Sequence, residues 1–226
     1  MKFTEFGFDD RLMEGIDASG YENATPVQEQ VIPLIMAGKD VIASAQTGTG
    51  KTAAFLLPLI NKIITDTHED HTNNALVIVP TRELAVQIAQ HMEGLSYFTS
   101  VSSIAVYGGG DGNAFVQEKK ALSHGADVVI CTPGKMMSHI KMGYVKLAGL
   151  KYLILDEADR MLDMGFYDDI MFIIDSLPKK RQNLLFSATM PHKIRELARK
   201  ILHNPEEVNI SISKPPEKIK QEAFIV

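Results

Sequence analysis

Short, nearly continuous apolar runs alternate along this chain with longer amphipathic stretches, and that alternation constrains the fold more than any other feature. The runs fall at Asp40–Ala45, Ala75–Pro80, Ser103–Tyr107, Asp127–Thr132, Lys151–Asp156, Asn183–Ala188 and Glu207–Ile210. Most lack an apolar/polar alternation, as strands buried on both faces of a parallel sheet do. Between them, Pro26–Ala37, Lys51–Thr65, Arg82–Phe98, Asn113–Ser123, Pro133–Lys141, Tyr167–Leu177 and His192–His203 carry helical spacing. The pattern predicts a doubly wound α/β domain, a mostly parallel sheet with helices on both faces. In such a fold ligands bind outside the carboxyl ends of the strands.

Composition narrows the class further. At 45% hydrophobic and 23% charged residues, the 226-residue chain is neither a disordered tail, a collagen-like fibre nor a disulfide scaffold. No apolar run approaches the roughly 18–20 residues of a membrane span, and Met1–Glu5 lacks the regions of a signal peptide. Cys131 is the single cysteine, so no intrachain disulfide can form, and a cytoplasmic location is expected. The net charge is −5 and the pI near 5.8. Nucleic-acid binding by bulk electrostatics is thereby disfavoured; locally aimed donors or a basic partner domain would be needed.

Domain organisation is expected to be simple. Residues 1–210 read as one domain, and 211–226, with Pro215-Pro216 and a closing Ala223-Phe224-Ile225-Val226, as a linker and the start of a second domain. The polar stretch His68–Asn74 reads as a surface loop, and Met161 and Met164 as core filler.

Two segments carry chemistry. Ala45-Gln46-Thr47-Gly48-Thr49-Gly50-Lys51-Thr52 lies between a predicted strand and a predicted helix and matches the phosphate-loop pattern, with Ala45 at its first glycine. Gly48 and Gly50 let several N–H groups face one anion, Lys51 reaches the β and γ phosphates, and the Thr52 hydroxyl is a Mg²⁺ ligand. The helix that follows adds its positive end. Second, the run Lys151–Asp156 ends in Asp156-Glu157-Ala158-Asp159. Asp156 at that strand end faces the same edge as the phosphate loop and is placed to hold Mg²⁺ through water. Glu157 is placed to orient or deprotonate an attacking water. Alone, the acidic run could equally be a helix cap.

With these residues the chain resembles the first, RecA-like domain of a DEAD-box ATP-dependent RNA helicase, whose namesake tetrapeptide is Asp156–Asp159. Gly20–Gln28 resembles the family's Q motif, with Phe3 at its upstream aromatic, so residues 1–28 form the Q-motif region. Ala45–Thr52 resembles motif I, and Pro80-Thr81-Arg82-Glu83-Leu84-Ala85 motif Ia. Gly108-Gly109 and Thr132-Pro133-Gly134-Lys135 resemble the GG and Ib elements, and Ser187-Ala188-Thr189 motif III. Motif Ib usually ends in arginine, whereas here it is Lys135, which lacks the bidentate fork. Motifs IV to VI, which the family carries in a second RecA-like domain, are absent from the sequence.

The resemblance implies roles. Gln28 reads adenine, because its amide offers one donor and one acceptor to the N6/N7 edge. Phe3 or Tyr21 stacks on the ring, although Phe3, Phe6 and Phe8 could instead staple the N-terminal segment to the body. Gln46 to Thr52 bind ATP, Thr52 and Asp156 hold Mg²⁺, and Lys51, Asp156 and Glu157 carry hydrolysis. Ser187 and Thr189 hydrogen-bond near Asp156 and Asp159 and couple hydrolysis to domain movement. Pro80, Thr81, Arg82, Glu83, Gly108, Gly109, Thr132, Pro133, Gly134 and Lys135 line a path for single-stranded RNA, gripping phosphates without reading bases. The expected partners are RNA and a second RecA-like domain, and the chain itself is expected to be monomeric and weakly active.

Two other readings remain open at this level. The chain could be a non-catalytic RNA clamp, which the intact Lys51, Thr52, Asp156 and Glu157 argue against. A GTPase is disfavoured, because Asn61-Lys62-Ile63-Ile64 lacks the aspartate of the guanine signature. Metal binding by His68 and His71 lacks further ligands, and Cys131 lacks an evident base.

Overall fold

The computed structural model describes residues 1–66, 72–110 and 112–210. Among them, seven strands form one sheet: β1 Val41–Ala45, β2 Ala75–Ile78, β3 Ser103–Val106, β4 Val128–Cys131, β5 Tyr152–Leu155, β6 Gln182–Ser187 and β7 Glu206–Ile210. Every pairing is parallel, and the order is β3-β4-β2-β5-β6-β1-β7. The seven expected strands and seven expected helices all form. Those helices are α2 Pro26–Met36, α3 Lys51–Thr65, α4 Arg82–Leu95, α5 Gly112–His124, α6 Pro133–Lys141, α8 Tyr167–Asp175 and α9 His192–Ile201.

The period-two rule explains how one strand feeds two cores. Val77, Ile130 and Ile154 point to one face, where Phe55, Ile60, Ile32 and Leu12 cover them. Leu76, Ile78, Val129, Leu153 and Leu155 point to the other, against Met136, Ile170, Ile173 and Leu197. Strands β2, β4 and β5 are buried along their whole length. Burying both faces is why these runs read as continuous rather than alternating.

Three elements escaped the sequence reading. Phe3–Glu5 makes a 3₁₀ turn, α1 covers Asp10–Ala18 and α7 covers Ala158–Asp163. Only Leu12, Gly15 and Ile16 of α1 are buried, so its apolar stripe is one turn wide. The Asp9 side chain accepts the Arg11 N–H and starts it. Gly15 is required by packing: a Cβ there would lie 2.2 Å from the Leu95 carbonyl oxygen of α4.

Two expectations are corrected. Of the polar stretch His68–Asn74, residues 68–71, His68 and His71 among them, lie outside the described residues. Thr72, Asn73 and Asn74, however, are buried. Asn73 Nδ2 donates to the carbonyls of Leu122 and Lys146, and its Oδ1 accepts from Ala126 N–H. An asparagine that satisfies three backbone groups is worth burying despite its polarity. Met161 is core, but Met164 caps α7 and is half-exposed. The expected linker, 211–226, lies outside the described residues.

Candidate nucleotide and RNA sites

The strand order sorts the chemistry. Strands β5, β6 and β1 are neighbours, and their carboxyl ends carry Asp156-Glu157, Ser187–Thr189 and the phosphate loop. Strands β3, β4 and β2 are neighbours too, and lead into Gly108-Gly109, Thr132–Lys135 and Pro80–Glu83. One half of the sheet edge thus collects the nucleotide candidates and the other the RNA candidates.

On the nucleotide side, Tyr21, Asn23, Thr25, Gln28, Thr47, Gly48, Gly50, Lys51, Thr52, Asp156 and Glu157 line one cleft of about 410 Å³. Gly48 and Gly50 have φ of +81° and +94°, the left-handed region that glycine enters freely. The loop is folded on itself: the Lys51 ammonium donates to the Ala45 carbonyl at 2.6 Å, and the Thr49 hydroxyl donates to the Gln46 carbonyl at 2.8 Å. Gln28 sits against this loop. Its Oε1 accepts the Thr25 N–H at 2.8 Å, and its Nε2 donates to the Gly50 carbonyl at 3.1 Å. One acceptor lone pair and one donor of the amide therefore already serve the protein.

The two aromatic candidates separate. Phe3 is 1% exposed and packs against Phe6 and Tyr21, with ring centroids 5.8 and 5.7 Å away. It staples the N-terminal segment and does not line the cleft; Tyr21, half-buried, does. Leu84, Gln87 and His91 also reach the cleft, from one face of α4. Their i, i+3 and i+7 spacing was visible in the sequence, but which face of α4 looks at the nucleotide edge depends on how α4 packs.

Asp156 is 3% exposed, and burial pushes its carboxyl up to about 6 against the opposing pull of Lys51. Its Oδ1 accepts the Glu157 N–H at 2.9 Å. Glu157 adopts a left-handed backbone, φ 50° and ψ 48°, uncommon for a residue with a side chain. Its carboxylate takes a hydrogen bond from Arg160 at 3.1 Å.

Ser187 and Thr189 gather around Asp159 rather than Asp156. Asp159 Oδ2 accepts both the Thr189 N–H, at 2.9 Å, and the Thr189 hydroxyl, at 2.8 Å. The Asp159 N–H donates to Ser187 Oγ, which donates onward to the Thr189 carbonyl at 2.7 Å. Burial would raise the Asp159 carboxyl, yet the donors from Thr189, Ser187 and Arg160 outweigh it and hold it below the usual range.

On the other half-edge, Thr81 caps α4 by accepting the Leu84 N–H, and Arg82 lies over the Tyr107 ring at 5.0 Å. Gly109, at φ +86°, comes close to that guanidinium. Thr132 precedes α6, with Pro133 in its first turn. Lys135 is paired with Glu118 at 2.9 Å.

A family model described as DEAD/DEAH box helicase matches residues 25–197. The chain belongs to the DEAD/DEAH box helicase family. Among curated relatives of this family, it is 44% identical to the ATP-dependent RNA helicase CshA of Listeria monocytogenes, over 99% of this chain and 42% of that one. It is 47% identical to CshA of Limosilactobacillus reuteri, over 93% and 41% respectively. The crystal structure of a DEAD box protein from the hyperthermophile Methanococcus jannaschii superposes with a TM-score of 0.86 at 38% identity, covering 94% of this chain and 56% of that one. The all-parallel sheet is therefore that of a DEAD-box RecA-like domain. The chain spans about two fifths of the length of these curated DEAD-box relatives.

Proposed function

We propose that this chain is the first ATPase domain of an RNA helicase: it binds ATP with Mg²⁺ and the backbone of single-stranded RNA, and hydrolyses ATP productively only with a second RecA-like domain. The observation that carries this reading is the convergence of Gln28, the phosphate loop, Asp156 and Glu157 on one cleft. Relatives named ATP-dependent RNA helicases support the same substrate classes.

The donor set fits Mg²⁺. Thr52 and Asp156 are hard oxygen ligands on the same cleft. Among the described residues, no group of three or more His, Cys, Asp or Glu could hold an ion alone. Phosphate oxygens and water would complete the shell, as Mg²⁺ prefers. When bound, the ion neutralises charge on the β and γ phosphates.

The chain's own residues do the rest. Lys51 leaves the Ala45 carbonyl for the phosphates, and the loop N–H groups turn toward them. Gln28 offers its remaining donor and acceptor sites to the base while staying tied to Gly50, so base occupancy and loop shape are linked. Glu157 orients the water and takes its proton. The Ser187–Asp159–Thr189 net ties the strand ends of β5 and β6, so a shift beside the phosphate moves both. RNA lies across Pro80, Thr81, Arg82, Glu83, Gly108, Gly109, Thr132, Pro133, Gly134 and Lys135, held through phosphates. The consequence is local duplex opening and RNA release.

Calorimetric titration with ADP and GDP in Mg²⁺, beside Gln28→Ala, tests the reading. ADP is expected to bind, GDP not, and the variant to lose the preference. Equal binding of both nucleotides, unchanged by the variant, would refute adenine reading. Absence of all nucleotide binding with RNA binding intact would favour the clamp.

A further inference from the structure

Behind the motif Ib segment lies a buried polar cluster of which the roles above use Lys135 alone. Glu118, on α5, is 5% exposed and reaches the first turns of α6. Its Oε2 meets the Lys135 ammonium at 2.9 Å and His139 Nε2 at 3.1 Å. His139 is fully buried, and its Nδ1 pairs with the Tyr144 hydroxyl. The arrangement calls for the neutral tautomer that donates from Nε2 to Glu118 and accepts from Tyr144. Burial lowers the His139 pKa, which agrees with a neutral ring. Phe115, also on α5, stacks on His139 with centroids 5.3 Å apart and planes at 16°, and Lys135 lies 5.3 Å from the same ring. Lys119 sits over Tyr144 on the far side of the cluster.

We propose that Glu118 is a positioning residue of the RNA face: it pins the Lys135 ammonium and cancels its charge, so that Thr132–Lys135 meets the RNA backbone through neutral donors rather than through a free cation. This rests on the reading of that segment as an RNA contact. The physics is an asymmetry of burial. Lys135 keeps 21% of its side-chain surface and Glu118 only 6%. If the lysine swung out to a phosphate, it would leave a buried carboxylate with a neutral histidine as its remaining donor. That loss outweighs one contact at a solvated phosphate. Phe115 adds a second restraint on the same ammonium. A lysine so held makes no counterion-releasing contact, and RNA affinity here is weaker and less salt-dependent than the motif's charge suggests.

The test is binding of a short fluorescein-labelled single-stranded RNA to this chain across a salt series, with Glu118→Gln and the double variant Glu118→Gln/Lys135→Met. Glu118→Gln keeps the shape and hydrogen bonds but frees the charge. It should steepen the slope of log affinity against log salt by about 0.7, and at about 50 mM salt should bind on the order of fivefold tighter. The double variant removes both charges of the pair and should lose that gain, returning the slope to that of the unaltered chain. A double variant whose slope falls about 0.7 below that of the unaltered chain, or an unchanged slope in Glu118→Gln, overturns the proposal while leaving RNA binding intact. If Glu118→Gln alone does not fold, the double variant, which leaves no unpaired charge, decides. Absence of RNA binding by the unaltered chain at low salt would overturn the RNA reading itself, and this inference with it.

Discussion

Gln28 and Gly50 hold each other: the amide nitrogen donates to the glycine carbonyl at 3.1 Å, and a Cβ on Gly50 would come within 2.6 Å of that nitrogen. The side chain expected to sense the base is thus packed on the loop expected to grip the phosphates. Only a residue without a side chain leaves room, and its φ of +94° demands the same.

Gly50→Ala should therefore cost about 1–3 kcal/mol of stability and abolish tight ADP binding. Adding Gln28→Ala removes the clash but not the backbone strain, so the pair should be less destabilised than the sum of the single changes. Urea unfolding of the four proteins in this cycle measures it, and strict additivity would show that the two residues do not meet.

Lys51 spends its ammonium on the Ala45 carbonyl. Lys51→Met keeps the stem and loses that bond, so the stability of the ligand-free chain should move by no more than about 1 kcal/mol. ADP affinity should fall at least about tenfold, or 1.4 kcal/mol, because no other side chain of the loop is cationic. Calorimetry and thermal unfolding on one preparation separate the two effects. Unchanged ADP affinity would remove Lys51 from the phosphate site.

Asp156 is buried with its carboxyl pushed up to about 6 from an ordinary 3.8. A raised folded-state pKa means that the protonated form is the stable one. Its contribution is present below about pH 4 and lost as pH rises through about 6. Asp156→Asn should then exceed the unaltered chain in stability at pH 8, by on the order of 2 kcal/mol, and match it near pH 4. Denaturant unfolding across that range, without nucleotide or metal, is the check. An asparagine variant less stable at pH 8 would mean that the ionised carboxylate is better solvated than its burial indicates.

Thr189 gives Asp159 two hydrogen bonds and helps hold its carboxyl below the ordinary range. A depressed pKa stabilises the fold above the unfolded value and loses that effect as pH falls through the folded one. Thr189→Val removes the hydroxyl donor and should raise the Asp159 pKa, seen directly by carboxyl NMR titration. Because Asp159 is partly solvated, the stability loss at pH 7 should stay within about 1 kcal/mol and vanish in acid. A carboxyl titration unmoved by the substitution would show that the hydroxyl bond is not formed in solution.

The central strands β2, β4 and β5 were legible because burial on both faces writes an unbroken apolar run, and most helices because they show an apolar stripe, α3 being apolar nearly all round. The misses have local causes. Helix α1 has too narrow a stripe to stand out, and α7 starts from a left-handed Glu157 that no periodicity encodes. Asn73 looked like loop because its type is polar, yet its burial is set by three backbone groups brought from elsewhere in the chain. Phe3 was open between base stacking and stapling, since spacing does not say what an aromatic ring meets.

The sequence by itself determined the α/β class, the phosphate loop between strand and helix, and the acidic strand end, because each depends on neighbours within a few residues. Tertiary structure alone decided that β5, β6 and β1 lie side by side and that β3, β4 and β2 form the other half, since strand order is set by crossovers and not by local pattern. It also decided that Asp159, rather than Asp156, accepts from Thr189 and donates its N–H to Ser187, and that Lys135 faces a buried Glu118. Those pairings span helices and strands far apart in the chain. They exist because packing both faces of the sheet leaves each polar group only the partner that shares its end of the core.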